Sequence, residues 1–169
     1  MSTVPTDTTD TEVSMNIESD AFTNGSPIPV RYTDDGDDVS PGLSFGGFPE
    51  GTRELALIVD DPDAPRAEPW VHWVIYRIPT SATGLPEGVW PSGDAAAPVG
   101  AVQGPNDFGE AEYGGPAPPR GHGVHHYHFR LYALDADLDL PAGLGTSQLL
   151  AAIEGHVLAT AEIVGTYER

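Results

Sequence analysis

Three acids, Asp60, Asp61 and Asp63, lie among prolines in LALIVDDPDAPRAEPWVHW, the stretch from Leu55 to Trp73. Four histidines, His122, His125, His126 and His128, crowd into GHGVHHYHF, and His72 stands in WVHW. Carboxylates and imidazoles in combination can move protons, ligate metals, or orient one another toward an anion. Asp61, His72 and His125 have the composition of a two-histidine, one-carboxylate set for iron or zinc. No ligand pair stands at a helical spacing such as H-E-x-x-H, so neither a metal nor a cofactor is expected. A nucleophile is not identified either. Gly42-Leu43-Ser44-Phe45-Gly46 matches G-x-S-x-G, which needs a strand before it and a helix after it. Here Pro41 precedes it and Gly47, Pro49 and Gly51 follow, so no helix can start there. A non-enzymatic protein is expected; a hydrolase using Asp61, His72 and His125 for acid–base work is the lesser alternative.

Strand periodicity decides which of these side chains can meet. In a strand, alternate residues share a face. His125, Tyr127, Phe129, Leu131 and Ala133 then form one face that becomes wholly apolar, which places His125 and Tyr127 at the polar end of a core face. His126 and His128 look outward or into a subunit contact. In RELALIVDD the residues Leu55, Leu57, Val59 and Asp61 share a face, and a carboxylate after three large aliphatic residues needs a donor. In WVHWVIYRI the same rule groups His72 with Val74, Tyr76 and Ile78. Both stretches are apolar at nearly every position, as in strands buried on two faces.

The remaining elements frame these strands. Residues 1–12 are rich in Thr and Asp and read as a disordered acidic tail, with a single domain over 13–169. Alternation at Val13, Met15 and Ile17 predicts a first strand. Residues 79–121 are dense in Pro and Gly and read as a long functional loop region. GTSQLLAAIEGHVLATAEIVGTYER predicts the one helix, capped by Thr146 or Ser147, with Leu149, Leu150, Ile153, Val157 and Leu158 as its apolar stripe and Gly155 weakening its middle. The fold class is mainly β with few helices.

Composition excludes whole classes of partner. The formal net charge is -19, from 26 acids against seven basic residues, all arginine. Nucleic acid phosphates and anionic membrane surfaces would be repelled. Such self-repulsion is tolerable where salt shortens the Debye length to roughly 3 Å near 1 M, so the charge reads as adaptation to a salt-rich cytoplasm. There is no cysteine, no run long enough to span a membrane, and no signal-peptide pattern near Met1. A cytoplasmic location is expected.

LALIVDDPDAP, then WVHW, then YGGPAPPRGHGVHHYHFRLYALD, in that order, resemble the phosphatidylethanolamine-binding protein family, in its prokaryotic, Raf-kinase-inhibitor-like branch. The similarity runs from about Met15 onward. It implies a large central β-sheet with a smaller second sheet, and a small pocket for phosphate or phosphate-bearing head groups. Position by position, it implies ligand-binding roles for Asp61, Pro65, Trp70, His72, Gly115, His125 and Tyr127, with Pro118 and Pro119 from the proline motif. It also implies a homodimer, and a cis peptide before the tryptophan, at Glu68–Pro69, with Ala64–Pro65 as a second candidate. A carboxylate suits an anion pocket if Asp61 accepts an imidazole N–H from His72 or His125 and raises that ring's pKa, or if it accepts directly from a ligand. Trp70 would supply an apolar wall or a face for a cationic group. The leading reading is a binding or regulatory protein for a small anion. The runner-up is a protein-interaction module, such as a protease inhibitor presenting the Pro-rich segment 114–123.

Overall fold

The computed structural model describes residues 15–169; the expected acidic tail over 1–12 and the strand residue Val13 lie outside the described residues. In chain order the elements are β1 (Asn16–Ser19), β2 (Leu43–Gly46), β3 (Glu54–Asp61), β4 (Trp70–Pro79), β5 (Gly84–Leu85), β6 (Val102–Gly104), β7 (His125–Leu134), helix α1 (Thr146–Ile153) and β8 (Val157–Tyr167). A five-stranded sheet has the order β6-β4-β3-β7-β8, and a three-stranded sheet the order β1-β2-β5. Every pairing between these strands is antiparallel.

The central strand β3 is buried at all eight positions, which explains its unbroken apolar sequence. Leu55, Leu57 and Val59 point toward the small sheet and pack with Ile17, Phe45 and Leu85. Ala56 and Ile58 point to the opposite face, where Val74, Tyr76 and the helix residues Leu149 and Ile153 cover them. At about 1.5–3 kcal/mol for each fully buried large side chain, these two cores hold the large sheet rigid between a sheet and a helix.

The C-terminal segment departs from the helix expected there. α1 ends at Ile153, Gly155 turns the chain at φ +84°, and the residues from Val157 form the edge strand β8. A left-handed residue stops a helix, and the Val, Thr and Ile content that follows suits a pleated surface. Leu150, Val157 and Leu158 are therefore exposed rather than part of a continuous stripe. Neither Thr146 nor Ser147 caps α1: Gly145 occupies the cap, its N–H donating to Gln148 Oε1 at 3.1 Å. Among the described residues no helix is long and apolar enough to cross a membrane.

A β-bulge corrects the expected placement of His72. Val59 pairs with Trp73 and Asp60 with Val71, so His72 is an extra residue opposite β3. A bulge turns two successive side chains to one side. His72 therefore joins Trp73 on the face of Val59 and Asp61, opposite Val74 and Tyr76. A second irregularity lies between Leu55 and Leu57, where Arg77 in β4 has φ +59°.

Candidate functional site

The C-terminal end of β3 and the N-terminal ends of β4 and β7 meet at one end of the large sheet, and the loops 62–69 and 105–119 close over them. The result is a cavity of ≈ 180 Å³ lined by Asp61, Pro65, Trp70, His72, His125 and Tyr127, together with Ala64, Phe108, Ala117, Pro118 and Pro119. Six of the seven residues expected from the sequence thus share one wall. Gly115 does not line it. Its N–H donates to Asp38 Oδ1 at 2.7 Å, and a Cβ there would lie 2.3 Å from the Tyr32 carbonyl oxygen. Gly115 lets two chain segments touch behind the site, next to the carbonyl that His72 uses.

Asp61, only 3% exposed, is fully employed by the protein. Its Oδ1 accepts the Asp63 N–H at 2.8 Å, closing the turn after β3. Its Oδ2 lies 2.6 Å from His125 Nδ1. Of the two imidazoles open to it from sequence, the carboxylate thus holds His125, and it orients that ring. Asp63 serves a different neighbour. Its Oδ2 accepts the backbone N–H of His126 at 2.8 Å and pairs with that ring. His128 pairs with Glu162. His126 and His128 both point away from the cavity. Asp60 also points away, held by Arg130 at 2.8 Å. Burial raises its pKa, and the Arg130 charge and hydrogen bond oppose that.

His72 donates Nδ1–H to the Gly114 carbonyl oxygen, at 2.6 Å. Burial lowers its pKa, against the raising effects of the Gly114 hydrogen bond and the Asp61 charge. The neutral ring then presents Nε2 as an acceptor. Its plane stands edge-on to Tyr127 at 5.1 Å and to Phe108 at 5.4 Å. Tyr127 is pushed well up by burial, with the Asp61 charge adding to the shift, so its phenol stays a donor.

Two buried polar atoms of this cavity have no hydrogen-bond partner among the described residues: Trp70 Nε1 and Tyr127 Oη. The Trp70 ring lies against Phe108 at 5.4 Å, and the Arg66 guanidinium covers it at 4.6 Å. The cation on this tryptophan is the protein's own. Arg66 also donates to the carbonyls of Glu68 and Pro69, at 3.0 and 2.8 Å. Both prolyl bonds of this turn are trans, contrary to the expectation of a cis bond at Glu68–Pro69 or Ala64–Pro65; the cis bond of the described residues is Trp90–Pro91. The Arg66 clasp gives the turn its shape without a cis peptide.

Sequence reasoning missed two neighbours. Phe108 lies in PNDFG, where one large apolar residue amid turn formers was the available signal. His122 lies 2.6 Å from His125 through Nδ1, a contact that depends on how the loop before β7 folds back.

The sequence matches the family model for phosphatidylethanolamine-binding protein over residues 18–168. The chain belongs to the phosphatidylethanolamine-binding protein family. An uncharacterised family member from Methanothermobacter thermautotrophicus is 51% identical over 155 residues, covering 92% of this chain and 99% of that protein. The crystal structure of a phosphatidylethanolamine-binding protein homologue from Chlamydia trachomatis superposes with a TM-score of 0.83 at 41% identity, covering 92% of this chain and 98% of that one. YbcL from E. coli, described as a member of the mammalian family, gives a TM-score of 0.85 at 34% identity, covering 92% and 99%. The mainly β fold of two sheets with one helix near the C-terminus is that of these phosphatidylethanolamine-binding proteins.

Proposed function

We propose that this family member is a non-enzymatic binding protein whose cavity holds a small phosphate-type oxyanion that also carries a hydrogen-bond donor. The observation that carries this reading is the pair of buried donors, Trp70 Nε1–H and Tyr127 Oη–H, left without partners in the wall of one cavity. Buried polar groups are almost always satisfied, so two orphan donors on residues lining one cavity call for acceptor oxygens. The neutral His72, presenting Nε2 to the same space, calls for a donor such as an ammonium, a hydroxyl or a P–OH group. A volume of ≈ 180 Å³ resembles the roughly 150 Å³ cavity that takes one benzene, enough for a phosphate with a short substituent and too little for acyl chains. Pro118 and Pro119 belong to the cavity wall, which favours a binding role for the proline segment over an inhibitory loop. Arg120, exposed beside them, makes no salt bridge among the described residues, although its charge acts on Asp35, and it is placed to attract an anion. The acidic surface suits a salt-rich cytoplasm, whose ions screen distant charges far more than the cavity's own dipoles.

Titration with inorganic phosphate and with O-phosphoethanolamine in molar KCl, followed by tryptophan fluorescence, tests the proposal. Hydrogen bonds to charged groups contribute about 1.5–3 kcal/mol, so Tyr127→Phe weakens binding by about tenfold to a hundredfold. Equal affinity for wild type and Tyr127→Phe would refute the reading.

A further inference from the structure

Three titratable groups form a single file that starts in the wall of this cavity, at Asp61 and His125, and ends outside it at His122. The Asp61 carboxylate stands at the buried end. His125, 1% exposed, contacts it through Nδ1 at 2.6 Å. The other nitrogen of that ring, Nε2, lies 2.6 Å from Nδ1 of the exposed His122, with the rings 4.8 Å apart and tilted by 54°. Two imidazole nitrogens in such contact need a proton between them, because two lone pairs repel. With both rings neutral, His122 donates to His125, His125 donates to Asp61, and the file carries one negative charge. One more proton fits at His122 Nε2, which has no partner among the described residues, and the file becomes neutral. The bridging proton can then sit on either ring.

We infer that this file supplies the variable charge of the cavity: an oxyanion binds together with one proton, which enters at His122. The inference rests on the anion-binding reading of the same cavity. No arginine or lysine lines that cavity, and Arg120 stands outside it in solvent, so no fixed cation within the cavity offsets an incoming negative charge. Beside a file carrying -1 an anion meets repulsion at short range, where the local dielectric is low. Beside a neutral file it does not. Linkage makes the effect reciprocal: the proton tightens anion binding by the factor by which the anion tightens proton binding.

The charged and titratable neighbours leave this role to the file. Asp63 is held by His126. Tyr167, paired with His125 across the sheet, donates to Asp35. Arg169, whose carbonyl oxygen accepts from Gly121 N–H, is bound to Asp34 and Asp35. His72 and Tyr127 stay neutral donor and acceptor groups, and Arg120 stays charged at every accessible pH.

The test uses the full chain with ¹⁵N-labelled histidines in molar KCl at mildly alkaline pH. On saturation with inorganic phosphate, the ring nitrogens of His122 and His125 shift toward the imidazolium pattern. His122→Phe keeps a planar ring at an exposed position and removes the exposed nitrogen through which the proton enters, leaving the buried His125 Nε2 as the remaining acceptor; an unchanged amide spectrum elsewhere confirms its fold. Phosphate's own ionisation is common to both proteins, so the ratio of their Kd values isolates the proton uptake that depends on His122. That ratio grows in favour of wild type as pH falls, by up to about tenfold per pH unit for one coupled proton. Phosphate binding with both rings still neutral, or with a pH-independent ratio, overturns the coupling and leaves the anion site standing. Absence of phosphate binding in both proteins overturns the two together.

Discussion

Replacement of Asp61 separates its role as a positioning group from that of a mere buried charge. The carboxylate accepts two hydrogen bonds, from Asp63 N–H at 2.8 Å and from His125 Nδ1 at 2.6 Å. Asp61→Ala removes both acceptors and leaves the His125 Nδ1–H buried without one. Each hydrogen bond to a charged group contributes about 1.5–3 kcal/mol. The Asp63 N–H, near the surface, regains water and falls at the low end, so the expected loss is about 3–4 kcal/mol, within the range for breaking a buried pair. At about 2–4 °C per kcal/mol for a chain of this size, Tm falls by about 10 °C. Asp61→Asn behaves differently. Its amide oxygen still accepts from Asp63, and its NH₂ donates to His125 if that ring moves its proton to Nε2 and donates to His122. The file stays bonded with every donor reversed, and the expected loss is only about 1–2 kcal/mol. Urea unfolding in molar KCl, fitted with a common slope, measures both. Equal losses for Ala and Asn, or an Ala variant within about 1 kcal/mol of wild type, would refute the reasoning that the acceptor geometry toward His125 is what matters.

Other substitutions probe the surroundings of the site. Burial holds the folded pKa of His72 below the ordinary histidine value of 6.5, so below that pH the unfolded chain binds a proton that the native state refuses. Stability from this group is complete above about pH 6.5 and declines as pH falls, by up to about 1.4 kcal/mol per unit; His72→Gln, which can still donate to Gly114, shows a shallower decline between neutral and acid pH in urea titrations. Gly115→Ala places a Cβ 2.3 Å from a backbone oxygen, a contact that only backbone movement relieves, and costs about 2 kcal/mol or more in thermal unfolding. Gly155→Ala forces a side chain into φ +84° and lowers stability by about 1–2 kcal/mol, with no change in phosphate affinity because α1 packs on the opposite face of the large sheet and the start of β8 pairs with the end of β7 far from His125.

Some of this architecture was legible in the residues alone. The unbroken apolar run of β3 announced a strand covered on both faces, and the alternation along β7 put His125 and Tyr127 on the core side. Both are consequences of the twofold period of a single strand, which needs no partner to be read. Three ordered motifs likewise located the family. The end of the chain misled because LLAAIEGHVLA supports a helical stripe as well as a helix that stops at Gly155 followed by a strand; only the pairing of β8 with β7 along ten residues of β7 separates the two.

The sequence by itself determined which strands carry Asp61, His125 and Tyr127, and that these three side chains face the core. Tertiary structure decided the rest. The side that His72 takes depends on one extra residue in β4 relative to β3, and register belongs to two strands together. The choice of His125 rather than His72 as the partner of Asp61, the Arg66 cover on Trp70, and the contact of His122 with His125 all join residues distant in the chain or set by loop shape. Local periodicity carries no information about such distances; the packing of loops against a finished sheet supplies it.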